Sequence, residues 1–228
     1  EFRRVLFRSL FKKIINEFSA MNYSGCLSLF SNNEPFLDER IIEFSKYASD
    51  KLPNAMINLF TNGLLLTFEK FIAILPYLDN FVIDNYNDKK ELNSPELKKI
   101  YDYVQAHPEL KARVKIEFRM LNEVLSSRGG QAPNKINAFN KRALGVLCLQ
   151  PFRQIVIRPT GEISLCCNDA LGKYTLGHLN TQTISEVWNS EKYKAIRNEM
   201  LTNGRSNLSL CNECDSMFDT SIPASRQR

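Results

Sequence analysis

Four cysteines, Cys148, Cys166, Cys211 and Cys214, carry the most specific chemical signal in this chain, with the spacing C-x17-C-x44-C-x2-C. Two residues between Cys211 and Cys214 let adjacent backbone amides turn inward, so both sulfurs can reach one metal centre. The other two thiols must arrive from distant segments. A zinc ribbon more often carries two such knuckles about 15 to 20 residues apart. Only one is present here, so the spacing favours an iron–sulfur cluster over structural zinc, with unliganded buried thiols as the third possibility. Cys167 follows Cys166 and faces the opposite side of an extended chain, which makes it a core residue unless the roles of the pair are reversed. Cys26 stands alone in an apolar run and reads as a small buried hydrophobe.

The elements that must position these thiols fall into two patterns. Up to about Gly130, apolar strands alternate with amphipathic helices, the mark of repeated βα units and a parallel sheet, so the class is α/β. The periodicity predicts helices at Leu10–Met21, Asp38–Leu52 and Thr67–Leu75, and strands at Gly25–Phe30, Met56–Phe60, Asn80–Asp84 and Arg113–Arg119. Ser94 is an N-cap with Pro95 at the first position of a helix running to Ala106. After a Gly- and Asn-containing stretch from Ser126 to Asn140, two short strands, Phe152–Arg158 and Glu162–Cys166, flank a Pro159-Thr160-Gly161 turn and predict a β-hairpin. A helix from Thr183 to Leu201, broken near Asn189 and Ser190, leads to the Cys211–Cys214 knuckle. The run begins on a helix, whereas a βα barrel begins on a strand, so one leading strand is expected to be missing. Residues 1–9, EFRRVLFRS, lack periodicity and read as a translated sequencing adapter, which predicts further native sequence upstream. The expected domains are 10–140 and 141–219, with a tail at 220–228.

With 228 residues, 43% of them apolar, the chain can bury a sizeable core. No apolar run approaches the roughly 20 residues of a membrane span, and no signal peptide is visible, so a cytoplasmic location and no membrane partner are expected. That compartment keeps dithiols reduced, which favours metal ligands over disulfides. Of the net charge of +5, Arg3, Arg4 and Arg8 against Glu1 supply +2, and the other lysines are interspersed with acids. No basic stripe with interleaved aromatics suggests nucleic acid.

Several stretches together resemble the SPASM/Twitch C-terminal domain of radical S-adenosylmethionine (SAM) enzymes. They are Cys148-Leu-Gln-Pro-Phe-Arg, Pro-Thr-Gly161-Glu-Ile-Ser-Leu-Cys166-Cys167-Asn-Asp, Leu176-Gly-His-Leu, Ile184-Ser-Glu-Val-Trp188-Asn-Ser with Arg197, and Cys211-Asn-Glu-Cys214. No cysteine follows Cys214, so the match is to the shorter Twitch form with one auxiliary [4Fe-4S] cluster, held by Cys148, Cys166, Cys211 and Cys214. Upstream, Ser31-Asn32-Asn33-Glu34-Pro35 resembles the family's G-G-E-P motif, with asparagines in place of the glycines, and Thr61-Asn62-Gly63 resembles its T-N-G loop. The resemblance implies a partial (βα)6 radical SAM barrel lacking its first strand, followed by a small β-hairpin plus helix. It implies SAM binding by Asn33, Glu34, Pro35 and Asn62. It also implies a substrate-facing Arg128, with Arg119 and Asn122 as weaker candidates; His107 and His178 are structural or exposed.

The family's C-x3-C-x2-C motif for a second, SAM-binding [4Fe-4S] cluster is absent, so this polypeptide is expected to be inactive alone. The resemblance implies an oxidoreductase that abstracts hydrogen from a sugar, cyclitol or related small molecule, fed by an external one-electron donor such as flavodoxin or ferredoxin. A peptide maturase and a zinc-stabilised interaction module are the competing readings. Metal analysis separates the last of these from a cluster protein.

Overall fold

The computed structural model describes residues 7–121, 126–132 and 147–216. Most of the adapter-like segment, Asn122, the expected domain boundary near 140 and the tail lie outside them. The chain divides into two units. One takes in the described residues up to Glu17 together with 126–132 and 147–216, and the other runs from Phe18 to residue 121.

The Phe18 unit is built from β1 (Cys26–Ser28), α2 (Ile41–Lys51), β2 (Met56–Thr61), α3 (Phe68–Ile74), β3 (Asn80–Tyr86), α4 (Pro95–Ala106) and β4 (Val114–Arg119). The strands form a parallel sheet in the order β1-β2-β3-β4, with Cys26 opposite Met56, Leu59 opposite Phe81 and Ile83 opposite Ile116. Alternation decides what each face carries. Ile57, Leu59, Phe81 and Ile83 are fully buried, and Phe71 of α3 stacks on Phe81 at 5.8 Å. The intervening positions include Asn58, Asp84 and Arg119, and Arg119 Nε donates to Asp84 Oδ1 at 2.6 Å. Thr67 and Ser94 cap α3 and α4 through their hydroxyls, as their positions before each helix require. Cys26 is half-buried, not a core residue.

The other unit holds α5 (Gln150–Arg153), β5 (Val156–Ile157), β6 (Glu162–Ser164), β7 (Thr175–His178), α6 (Ile184–Trp188) and α7 (Glu191–Asn203). Three antiparallel strands stand where a two-stranded hairpin was expected, since β7 pairs with β6. The segment from Phe152 is not extended throughout. Pro151 sits in the first turn of α5, where its fixed φ suits a helix, and only Val156–Ile157 is strand. The turn behaves as its residues dictate: Gly161 has φ +92°, and its N–H donates to the Arg158 carbonyl at 2.8 Å. The break between α6 and α7 falls at Ser190, which caps α7. Thr183 and Glu186 form a capping box on α6.

Helix α1 (Arg8–Ala20) lends this unit all but its last three residues. Lys13 Nζ donates to the Leu179 and Gln182 carbonyls at 2.7 and 2.8 Å, and Glu17 accepts from the Ile184 amide at 2.7 Å. The Arg197 guanidinium lies 4.0 Å from the Trp188 ring centre and 4.2 Å from that of Tyr193, and donates to the Pro151 and Trp188 carbonyls. Helix α7 is thereby tied to the segment that follows Cys148.

Candidate iron–sulfur centre and cofactor loops

The four cysteines come from three segments. Cys148 precedes α5, Cys166 lies two residues beyond β6, and Cys211 and Cys214 form a turn in which the Cys214 amide donates to the Cys211 carbonyl at 3.2 Å. Cys166 and Cys211 are buried; Cys148 and Cys214 are partly exposed. The four thiols share one electrostatic environment. Burial pushes the Cys166 thiol well above its ordinary range, and charge on Cys167, Cys211 and Cys148 pushes it further. Cys211 rises to about 12, first through burial and then through charge on Cys148 and Cys214. A bound metal centre would favour the thiolate forms that burial disfavours at Cys166 and Cys211.

Among the described residues, no three thiols, imidazoles or carboxylates are disposed to hold a single ion. Four thiolates on one zinc stand about 3.8 Å apart, given bonds of about 2.3 Å in a tetrahedron. The ligands of a [4Fe-4S] cluster each bind a separate iron and stand further from one another. Four thiols from three segments, two of them buried, are the donor type that an iron–sulfur cluster takes.

The loop after β6 is shaped by Asp169, which is 1% exposed. Its carboxylate accepts from the Leu165, Lys173 and Tyr174 amides at 3.2, 2.6 and 3.0 Å and from Gln131 Nε2 at 3.3 Å. Capture of the Leu165 amide explains why β6 ends at Ser164, short of the expected Cys166. Asn168 Nδ2 reaches Cys214 Sγ at 3.5 Å. Cys167 shares part of this environment, since charge on Cys148 acts on it as well. Burial raises its pKa, while Gln154 Nε2, 3.9 Å from its sulfur, and the Arg128 charge act against this.

Arg128 belongs to a short segment held on the knuckle. Ser127 donates its amide to the Asp215 carboxylate at 2.8 Å and its hydroxyl to the Glu213 carbonyl at 2.9 Å. Arg128, Gly129 and Gly130 follow with φ of +47°, +60° and +77°. At Gly129 a methyl group would lie 2.5 Å from Leu210 Cδ1 and 2.9 Å from the Leu210 carbonyl oxygen, so only glycine fits.

In the Phe18 unit the two loop motifs meet. Glu34 accepts from Thr61 Oγ1 at 2.7 Å, from the Asn62 amide at 2.8 Å and from the Phe36 amide at 3.0 Å. Asn33 is exposed and Asn62 partly so, both just beyond the C-terminal ends of neighbouring parallel strands, while Pro35 is buried. Barrel sites are built at such ends. Asn33 Oδ1 accepts from the Ser31 amide and Asn62 Oδ1 from the Leu64 amide, so both side chains shape their own turns. His107 stacks on Tyr103 at 4.0 Å and His178 Nδ1 accepts from the Asn180 amide, both structural roles. Asn168, Asp169, Ser127 and Asp215 had no role in the sequence reading, although Asn168 and Asp169 lie within the quoted Cys-Cys-Asn-Asp stretch.

Residues 148–215 match the SPASM iron–sulfur cluster-binding domain. The chain is 25% identical over 211 residues, 92% of its length and 80% of the relative's, to an S-adenosyl-L-methionine-dependent 2-deoxy-scyllo-inosamine dehydrogenase from Niallia circulans. Its fold matches the crystal structure of BtrN in complex with AdoMet and 2-DOIA with a TM-score of 0.77 at 21% identity, over 98% of this chain and 84% of that one. BtrN in an open conformation matches with a TM-score of 0.68 at 17% identity, over 92% of this chain and 80% of that one. Residues 148–215 are thus similar to the SPASM iron–sulfur cluster-binding domain, and the chain along most of its length has the fold of BtrN.

Proposed function

We propose that this chain belongs to a SAM-dependent radical oxidoreductase that oxidises an aminocyclitol or a related sugar or cyclitol by hydrogen abstraction, and that Cys148, Cys166, Cys211 and Cys214 hold one auxiliary [4Fe-4S] cluster. The observation that carries the reading is that all four thiols lie within residues 148–215, the segment that matches an iron–sulfur cluster-binding domain. A cluster there supplies a one-electron acceptor when bound. Charge on Cys148 acts on both Cys166 and Cys167, and charge on Cys211 acts on Cys166, which favours Cys166 as the ligand.

The remaining roles belong to the chain's own side chains. Glu34 holds the loop bearing Asn33 and Pro35 against the end of β2, so that Asn33, Glu34, Pro35 and Asn62 form one edge for SAM. The Glu34 carboxylate accepts three hydrogen bonds of the roughly four its lone pairs allow, leaving room for a cationic donor. Arg128 offers a guanidinium to a substrate hydroxyl or to the negative charge that develops on its oxygen. None of the six cysteines has the C-x3-C-x2-C spacing of a SAM-cleaving cluster, so no step through that cluster is assigned to these residues. An external one-electron donor such as flavodoxin or ferredoxin, and a cytoplasmic location, complete the reading. It is supported by six free thiols and by the absence, among the described residues, of any helix long and apolar enough to cross a membrane.

The test is anaerobic loading of the chain with iron and sulfide. About four irons with visible charge-transfer absorption are expected. Alanine at any of Cys148, Cys166, Cys211 or Cys214 should abolish them, and Cys26→Ser and Cys167→Ser should not. One zinc and no visible absorption would overturn the reading.

A further inference from the structure

Arg205, just past the C-terminal end of α7, is 2% exposed. Its Nη1 donates to the Ser216 carbonyl at 2.9 Å, while its Nε is buried with no acceptor. No carboxylate among the described residues forms an ion pair with it. A guanidinium cannot shed its proton in a protein, and a buried cation without an anion is costly. The buried acid Asp169 is already engaged by three backbone amides and Gln131.

The candidate counter-charge is the thiol centre. Ser216, whose carbonyl accepts from Arg205, lies two residues beyond Cys214 in the knuckle segment. Asn168, 7% exposed, approaches the same place from the loop after β6. One of its two amide hydrogens serves Ser216 Oγ at 2.8 Å and leaves the other for Cys214 Sγ at 3.5 Å.

We infer that Arg205 and Asn168 set the reduction potential of the cluster held by the four cysteines, through a buried positive charge and an amide donor directed at the Cys211–Cys214 knuckle. The inference rests on the cluster reading above. On reduction the cluster gains one electron, from dithionite in a titration or from the substrate radical in turnover, and with it one unit of negative charge. A fixed cation and an N–H donor stabilise the more negative state more strongly. Burial keeps that difference from being screened. Hydrogen bonds to cluster sulfurs, net charge and solvent exposure are the protein's levers on such potentials.

The experiment is an EPR-monitored redox titration of the full chain, loaded anaerobically, with iron content measured first. Arg205→Met should lower the equilibrium constant for reduction at least tenfold, a shift of about 59 mV for one electron. Arg205→Lys should stay within about threefold of wild type, and Asn168→Leu should lower the constant about threefold. Loaded Arg205→Met and Asn168→Leu proteins that keep the wild-type potential overturn the inference while leaving the cluster reading intact. Should Arg205→Met fail to fold or load, the decision passes to Asn168→Leu, and an unchanged potential there overturns the inference equally. A wild-type chain that takes up no iron removes the cluster reading and the tuning with it.

Discussion

Replacing Glu34 with glutamine tests whether the two cofactor loops are one structure. The carboxylate accepts from Thr61 Oγ1 and the Phe36 amide through one oxygen, and from the Asn62 amide at 2.8 Å through the other. If glutamine keeps its oxygen toward Thr61, its NH2 faces the Asn62 N–H, donor against donor. Leaving that amide unpaired costs about 1–3 kcal/mol, and the two surviving bonds lose their charge assistance. Partial exposure lets water relieve some of this, so a net loss of about 2 kcal/mol is expected. If the chain melts cooperatively, that corresponds to a fall in Tm of about 4–8 °C, read by circular dichroism. Thr61 is buried, and Thr61→Val removes the opposing hydroxyl. A double-mutant cycle should therefore return a coupling of about 1 kcal/mol between the two sites. Additive effects, or a Glu34→Gln protein with unchanged Tm, would show that the loops are held by something other than this carboxylate.

Gly129→Ala should destabilise the metal-free protein by about 2–3 kcal/mol, because a left-handed residue with a side chain costs about 1–2 kcal/mol and its methyl meets the Leu210 backbone. Gly130→Ala should cost less, since the atoms its methyl approaches belong to the Glu213 side chain, which can move; denaturant unfolding ranks the two, and the reverse order would argue against this packing. In the metal-free protein, Cys211, raised from 9.0 to about 12, should resist alkylation at pH 8. Its thiolate fraction is about a thousandfold below that of an ordinary cysteine, partly offset by greater intrinsic nucleophilicity, leaving labelling about 30-fold slower in a mass-spectrometric time course. The same raised pKa makes the metal-free fold lose stability as pH climbs from 9.0 toward 12, because the unfolded chain releases that proton first.

What the sequence determined by itself was the part written in local periodicity and local dihedral preference. Buried alternation at Ile57, Leu59, Phe81 and Ile83 located the central strands, Ser94 and Pro95 marked the start of α4, and Ser190 marked the break before α7. The cysteine spacing likewise nominated the thiols that the fold brings into mutual electrostatic reach. Local pattern misled where a short element owed its state to a partner. Strand β7 has no alternation of its own and exists because β6 pairs with it, and β6 stops early because a carboxylate four residues after the Leu165 amide captures it. Arg205, Asn168 and Asp169 are polar residues that composition places at the surface, and only tertiary structure buries them beside the thiols. The bond from Thr61 to Glu34 is likewise invisible to any window of sequence, because 27 residues separate its ends. A pattern records which face a residue prefers, whereas a site depends on which distant groups share that face, and the folded chain alone sets those distances.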